Sequence, residues 1–397
     1  MKWLYAIFFT IIITLIACSD LAKLNKTDPE TLIASNPIKH PPADFERYRQ
    51  LSFKYLKKQS LPNRTEQQIA LNLPFELKAN SEVSYRGKFL LFHGLSDSPF
   101  VWKDMAEQIA ERGFDVRVVL LPDHGSHPEQ MLEANYQDWL KVAKTHYIAW
   151  GGKEEKIYLG GFSMGALLAT SLALEFDNAA GLLLVSPAYE SSLDHLLGWA
   201  WLYAKFRPWM FGGLITEDNP FKYNSISINS GTQYYDLTRH IKQQWGEKQL
   251  DTPVLMLLSE NDSVVNVDYS HTIFKQKFTN RNKQLLWYRN LSSSEKLNAG
   301  SAVIERQSYF PDLRILNQSH MSLLISPKNS LLGEKGNLLI CNGNEYPIYS
   351  ACMRSPKHWY GAQHSVSPDN VAVARTTYNP DFFFVLERFE KIFLPGI

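Results

Sequence analysis

The most constraining stretch of this chain runs from Ile157 to Phe176. Ile157-Tyr158-Leu159 reads as a strand, Met164 to Phe176 as a helix of alanine and leucine, with only a tight glycine-bracketed turn between them. The same abrupt passage recurs. Lys88 to Phe92 is a continuous apolar run that ends in His93-Gly94, as expected of a strand buried on both faces. Ser98-Pro99 then supplies an N-cap and a first-turn proline, and Val101, Met105, Ile109 and Ala110 form one helix face that Gly113 ends. Val116 to Leu121, Gly181 to Val185 and Pro253 to Leu258 read as further strands, and 136–149 as a helix. Strand, helix, strand at short spacing predicts an α/β fold, a mostly parallel sheet with helices on both faces.

The periphery is less regular. A helix is expected over 45–57, strands over 68–78, 82–92, 284–289 and 313–316, and a closing helix carrying Phe382, Val385, Leu386, Phe389 and Phe393. The alternation breaks between Pro187 and Gln249, where Trp199, Trp201, Tyr203, Phe206, Trp209, Phe211, Phe221 and Tyr223 cluster without a strand. The expected organisation is therefore a core over 45–187, an insertion over 188–249, a second core part over 250–325, an insertion over 326–379, and a closing helix over 380–397. The stretch 283–312 is longer than a simple connection, so strand pairing there stays open.

Residues 1–17 read as an address. Met1-Lys2, an apolar run to Ile16 and Ala17 before Cys18 have the layout of a secretory signal, too short for a spanning helix. Leu15-Ile16-Ala17-Cys18 resembles the bacterial lipoprotein signal, which implies cleavage before Cys18 and its lipidation. Ser19 beside it implies an outer-membrane address facing the periplasm. The alternative is an uncleaved anchor or plain signal with an incidental cysteine. Residues 18–44, with Asn36-Pro37 and Pro41-Pro42, are expected to be a polar tether. Export leaves Cys341 and Cys352, a short-range pair in an oxidising compartment, predicted to form a disulfide worth about 2–3 kcal/mol. The alternative is two buried thiols. Cleavage would also remove Lys2, leaving 40 basic against 40 acidic side chains, a balance that excludes the basic excess of a nucleic-acid binder. Three cysteines exclude a cysteine-rich zinc site, and Asp123, His124 and His127 read better as a turn than as metal ligands, so no metal is expected.

Gly161-Phe162-Ser163-Met164-Gly165 is the sharp strand-to-helix turn that exposes a nucleophilic serine. The glycines let backbones approach, and the helix N-terminus can stabilise developing negative charge. A serine hydroxyl needs a base, and the base needs an orienting acid, in the order Ser, acid, His. The strand 253–258 leads into Asp262, with Glu260 and then Asp268 as competitors. His320 follows the expected strand 313–316, whereas no strand leads into His358 or His364. Backbone N–H groups of Met164 and Leu95 are the expected oxyanion donors, and His93 is expected to brace the Leu95 loop.

These features together resemble the α/β-hydrolase superfamily, in particular bacterial esterases and monoacylglycerol-lipase-like enzymes. The resemblance rests on His93-Gly94 with Ser98-Pro99, Leu121 to Gly125, Gly161 to Gly165, Asp262 and His320, and covers roughly residues 70–325 and the final helix. Family sequences usually carry glycine where Asp123 stands. The resemblance implies the α/β-hydrolase fold, a Ser-His-Asp triad without a cofactor, and hydrolysis of a small-molecule carboxylic ester with an apolar acyl chain at the cell envelope, the lipid on Cys18 being the membrane contact. It identifies 188–249 as a cap whose aromatics either line an acyl pocket or pack the cap's own core, with Lys205 and Arg207 as candidates to face a polar head group. Acyl transfer or peptide hydrolysis on the same triad is the enzymatic alternative. A non-catalytic envelope lipoprotein using the fold as a binding module is the alternative of another class.

Overall fold

Apolar runs that are unbroken in sequence become the inner strands, and their side chains divide between two cores by the two-residue period of a strand. In the computed structural model, which describes residues 36–204, 206–210, 213–291, 302–341, 348–375 and 377–394, α1 (Phe45–Gln59) and α2 (Glu66–Ala70) precede the sheet. There follow β1 (Phe75–Leu77), β2 (Gly87–Phe92), α3 (Lys103–Glu111), β3 (Phe114–Val119), α4 (Tyr136–Ala149), β4 (Tyr158–Phe162), α5 (Met164–Phe176) and β5 (Gly181–Val185). After the short helices α6 (Asp194–Leu197) and α7 (Ala200–Tyr203) come α8 (Ile228–Trp245), β6 (Val254–Ser259), α9 (Val267–Lys277), β7 (Lys283–Arg289) and β8 (Val303–Gln307). The chain closes with α10 (Ile348–Arg354), β9 (Trp359–Tyr360), β10 (Val373–Ala374) and α11 (Phe382–Phe393).

The main sheet has eight strands in the order β1-β3-β2-β4-β5-β6-β7-β8, with only β1 antiparallel to its neighbour. This is the α/β architecture that the alternation predicts. Leu90, Phe92, Leu182, Leu184 and Met256 pack on one face with α4, α5, α8 and α9. Phe89, Leu91, Leu183, Val185 and Leu257 pack on the other with α3 and α11. Helix α11 buries Phe382, Val385, Leu386, Phe389 and Phe393, and the last two rings meet Phe89.

The edges differ from the sequence expectation. Residues 66–70 are helical, because Thr65 and Gln68 form a reciprocal capping box where a strand was expected. Ser98 and Pro99 open a 3-10 turn, Pro99–Trp102, as N-cap and first-turn proline, but among the described residues the Ser98 hydroxyl is buried without a partner and makes no capping bond. Residues 313–316 are not a strand: Arg314 is left-handed (φ 57°), and Ile315 makes only isolated bridges, to Phe310 and Tyr360. The last sheet strand is instead β8, inside the stretch 283–312, where Glu305, Arg306 and Gln307 mask its apolar signal. Residues 36–44, read as tether, pack against the core: Ile38 is fully buried, and Lys39 lies 3.2 Å from Asp123. The leader, Cys18 and the tether up to residue 35 lie outside the described residues.

Between β5 and β6 the expected aromatic cluster divides. Trp209, Phe221 and Tyr223 are buried, whereas Trp199, Tyr203 and Phe206 are 64%, 63% and 80% exposed. The side chain of Trp201, with Lys205 and Phe211, lies outside the described residues. Cys341 and Cys352 are joined in a disulfide with Cα atoms 5.8 Å apart. Near it, β9 and β10 pair in parallel and return to the core through Leu316 N–H to Tyr360 O at 2.8 Å.

Candidate active site

The serine turn is built by exclusion. A Cβ on Gly161 would lie 2.3 Å from the backbone of Ala166, and one on Gly165 would lie 2.2 Å from the Phe92 carbonyl oxygen. Glycine at both positions lets α5 begin against β2 and β4 directly after the strand. Ser163 takes the strain, with φ 55° and ψ −120°, a conformation costing about 1–3 kcal/mol in a residue that has a Cβ. It is held there by its N–H to Val185 O at 2.9 Å, while its carbonyl accepts from Ala188 at 3.2 Å.

Asp262 and His320 come together at the same sheet edge. His320 Nδ1 lies 2.5 Å from Asp262 Oδ2, and the Asp262 side chain is fully buried. The other carboxylate oxygen, Oδ1, accepts the N–H groups of Val264 at 2.8 Å and Val265 at 3.3 Å, which fixes the carboxylate plane. The His320 ring packs against Phe162 with centroids 5.0 Å apart, one residue before Ser163. Its loop hangs on distant partners: Ser186 Oγ donates to His320 O at 3.0 Å and Ser259 Oγ to Gln318 O at 2.5 Å. Of the competing residues, Glu260 pairs with Arg289 at 3.2 Å, and Asp268 is an exposed residue in the first turn of α9. His358 Nε2 bonds to Cys352 O at 2.7 Å, and His364 is exposed.

The Leu95 loop lies over the serine, since a Cβ on Gly94 would be 3.0 Å from Ser163 Cβ. Among the described residues neither the Leu95 nor the Met164 N–H has a hydrogen-bond acceptor. His93 braces this loop: its Nε2 accepts the Leu121 N–H at 3.0 Å, and its Nδ1 lies 2.9 Å from Gly94 O. Burial holds its pKa well below that of a free imidazole, so it stays neutral.

Two residues here were not singled out by the sequence reading. Asp97 is 1% exposed, and the Lys222 ammonium, from the segment before α8, lies 3.3 Å from its Oδ2 and 3.2 Å from Leu95 O. Burial raises the Asp97 pKa, opposed by Lys222 and His320. Tyr223 N–H to Ser96 O at 2.8 Å and the Phe221 ring stacked on Phe100 at 4.2 Å fasten the same segment to the loop. Their sequence signal was weak, because a lysine between Phe221 and Tyr223 reads as an ordinary surface residue. Asp123 occupies a left-handed position, at φ 68°, a conformation that favours glycine. Burial pushes its pKa to about 6 against the stabilising charge of Lys39. The one cluster of ligand-type side chains within metal-binding reach among the described residues is Cys341, Cys352 and His358, whose two sulfurs the disulfide occupies.

The chain is similar to several known proteins over part of its length. The family described as Hydrolase_4, serine aminopeptidase S33, matches residues 84–220, a span that holds Leu95, Ser163 and Met164 and ends before Asp262. The chain is 29% identical over 101 residues to a thermostable monoacylglycerol lipase of Bacillus sp. (strain H-257), covering 25% of this chain and 40% of that protein. It is 20% identical over 220 residues to a carboxylesterase of Bacillus subtilis (strain 168), covering 54% of this chain and 85% of that protein. A solved structure from work on LipS and LipT, two metagenome-derived lipolytic enzymes, superposes with a TM-score of 0.46 at 20% identity over 53% of this chain and 86% of that one.

Proposed function

We propose that this chain, which has the α/β-hydrolase fold and is similar to monoacylglycerol lipases and carboxylesterases, is a serine hydrolase of carboxylic esters. The observation that carries the reading is the 2.5 Å contact of Asp262 with His320, set against a strained Ser163 turn. In this mechanism His320 Nε2 takes the Ser163 proton while Nδ1–H donates to Asp262, which holds the tautomer and stabilises the imidazolium. Ser163 Oγ bonds to the ester carbonyl carbon, and the N–H groups of Leu95 and Met164 receive the oxyanion. Collapse breaks the ester C–O bond as His320 passes its proton to the leaving alcohol. Water, deprotonated by His320, then releases the acid from Ser163.

An apolar acyl chain suits the cap. Leu196, Trp199, Leu202, Tyr203 and Phe206 are all exposed within α6, α7 and their flanks, an apolar concentration that water alone does not favour. The proposed enzyme is lipid-anchored through Cys18 at the outer membrane, facing the periplasm. That part rests on the leader sequence, and loss of palmitate incorporation in Cys18→Ser tests it.

Labelling with a fluorophosphonate probe, beside Ser163→Ala and with short- and medium-chain p-nitrophenyl esters, tests the enzymatic reading. Labelling and turnover are expected in the wild type and absent in the variant. Turnover of aminoacyl p-nitroanilides in place of esters would favour a peptidase on the same residues. A folded protein inert to probe and esters in the presence of detergent would overturn the reading.

A further inference from the structure

Beside the Asp262–His320 pair lies a second feature that the mechanism above does not use. A pocket of about 310 Å³ opens at the carboxyl ends of β6, β7 and β8, the sheet edge where ligands of parallel sheets bind. Asn261, next to Asp262, lines it, with Asn290 from the end of β7, Tyr309 just after β8, and Asn317 three residues before His320. The 326–379 insertion supplies the remaining wall, including Gln363 and His364. Asn317 holds that wall in place, donating to Ser365 Oγ at 3.0 Å and accepting the Ala362 N–H at 2.7 Å.

The chemistry of the lining is selective. Among the described residues it contains no Lys, Arg, Asp or Glu, so none of these supplies a counter-charge to an anion or a cation. Primary amides, a phenol, a serine hydroxyl and an imidazole supply adjacent donors and acceptors, the pattern that pairs with neighbouring hydroxyl groups. Among the described residues Asn261 Oδ1 is buried without a hydrogen-bond partner, a state that costs free energy. Tyr309 is 37% exposed and its ring lies parallel to that of Trp359, an apolar plate beside the polar groups.

We propose that this pocket is a binding site for a neutral, hydroxyl-rich group, a sugar or polyol, carried either on the alcohol side of the ester or on a separate glycan. The first source rests on the ester-hydrolase reading; the binding itself does not. The alcohol side is favoured because Asn261 and Asn317 stand one and three residues from Asp262 and His320 in the chain.

The test has two arms on the full chain. Saturation-transfer NMR with methyl glucoside, on protein carrying Ser163→Ala, reads binding without turnover. Separately, kcat/KM for octanoyl glucose relative to methyl octanoate is compared between the wild type, Gln363→Ala and Asn261→Ala. Saturation transfer that disappears in both pocket variants, with a relative kcat/KM about five- to tenfold lower, supports a substrate subsite; that loss corresponds to one net hydrogen bond. Transfer lost in the variants with the ratio unchanged supports the site with a separate glycan as its ligand. Binding in a protein that hydrolyses neither ester also supports the site, while removing the ester reading. No transfer in the Ser163→Ala protein with the pocket intact, or transfer indifferent to both pocket substitutions, overturns the proposal.

Discussion

The serine turn and the His320 loop meet through the Phe162 ring, yet they are held by opposite means. The turn is local and steric: its conformation follows from two glycines whose replacement would drive a Cβ into backbone at 2.2–2.3 Å. The loop is remote and polar: its bonds reach back 134 residues to Ser186 and 59 residues to Ser259, and Asp262 meets His320 across 58 residues. A contact that cannot yield makes the first region all-or-none. Several single hydrogen bonds, each modest after exchange with water, make the second gradable.

The sharpest way to break this contrast is Gly165→Ala. It is expected to remove more than about 4 kcal/mol of stability or prevent folding, because the Phe92 and His93 carbonyls belong to a central strand and its exit loop. Soluble yield and chemical denaturation check it, and a stable Gly165→Ala protein would show that the turn is softer than its contacts require. Next in size is Asp262→Asn, expected to lower kcat by roughly 10³–10⁴-fold with the folded circular dichroism spectrum retained. Near-normal turnover would hand the orienting role to another acid.

Lys222→Met tests whether the Leu95 loop shares the polar fragility of the His320 loop. Without the ammonium, Asp97 stays buried without its counter-charge, and kcat/KM is expected to fall about 10–100-fold. The Asp97 pKa then rises further, so the deficit grows as pH climbs through it and an uncompensated carboxylate is buried beside the Leu95 loop. A uniform loss across pH would reduce Lys222 to a packing role.

His146 offers a reference far from the site. It is buried among Phe45 and Tyr48, and burial lowers its pKa to about 3. Its neutral form contributes stability that is fully present above the unfolded value near 6.5 and is lost as pH falls toward 3. By pH 5 the loss is expected to be about 2 kcal/mol, which urea denaturation of the wild type beside His146→Phe at two pH values measures. Equal pH dependence in both proteins would exclude His146 as its source. The smallest effect belongs to Ser186→Ala, which removes one donor to the His320 carbonyl. About 1 kcal/mol of stability and a several-fold loss of kcat are expected, read by denaturation and by ester turnover.

Sequence alone determined what depends on neighbours along the chain. Short unbroken apolar runs such as Leu182-Leu183-Leu184, bounded by turn residues, read as strands buried on both faces, and the helix from Met164 to Phe176 follows from alanine, leucine and a glycine turn. The turn at Ser163 and the loop of Asp262 were legible for the same reason, since each follows a strand whose burial its own composition dictates, whereas His320 follows no strand. β8 was hidden because a strand near the sheet's edge tolerates the charges of Glu305 and Arg306, and 313–316 misled because four apolar-looking residues carry no period long enough to decide. Only the tertiary structure decided which acid meets the histidine, that Lys222 neutralises Asp97, and that Lys39 answers Asp123. Those choices join residues tens to more than a hundred positions apart. Their energies come from burial and charge in a shared space, quantities that do not exist until the chain has folded.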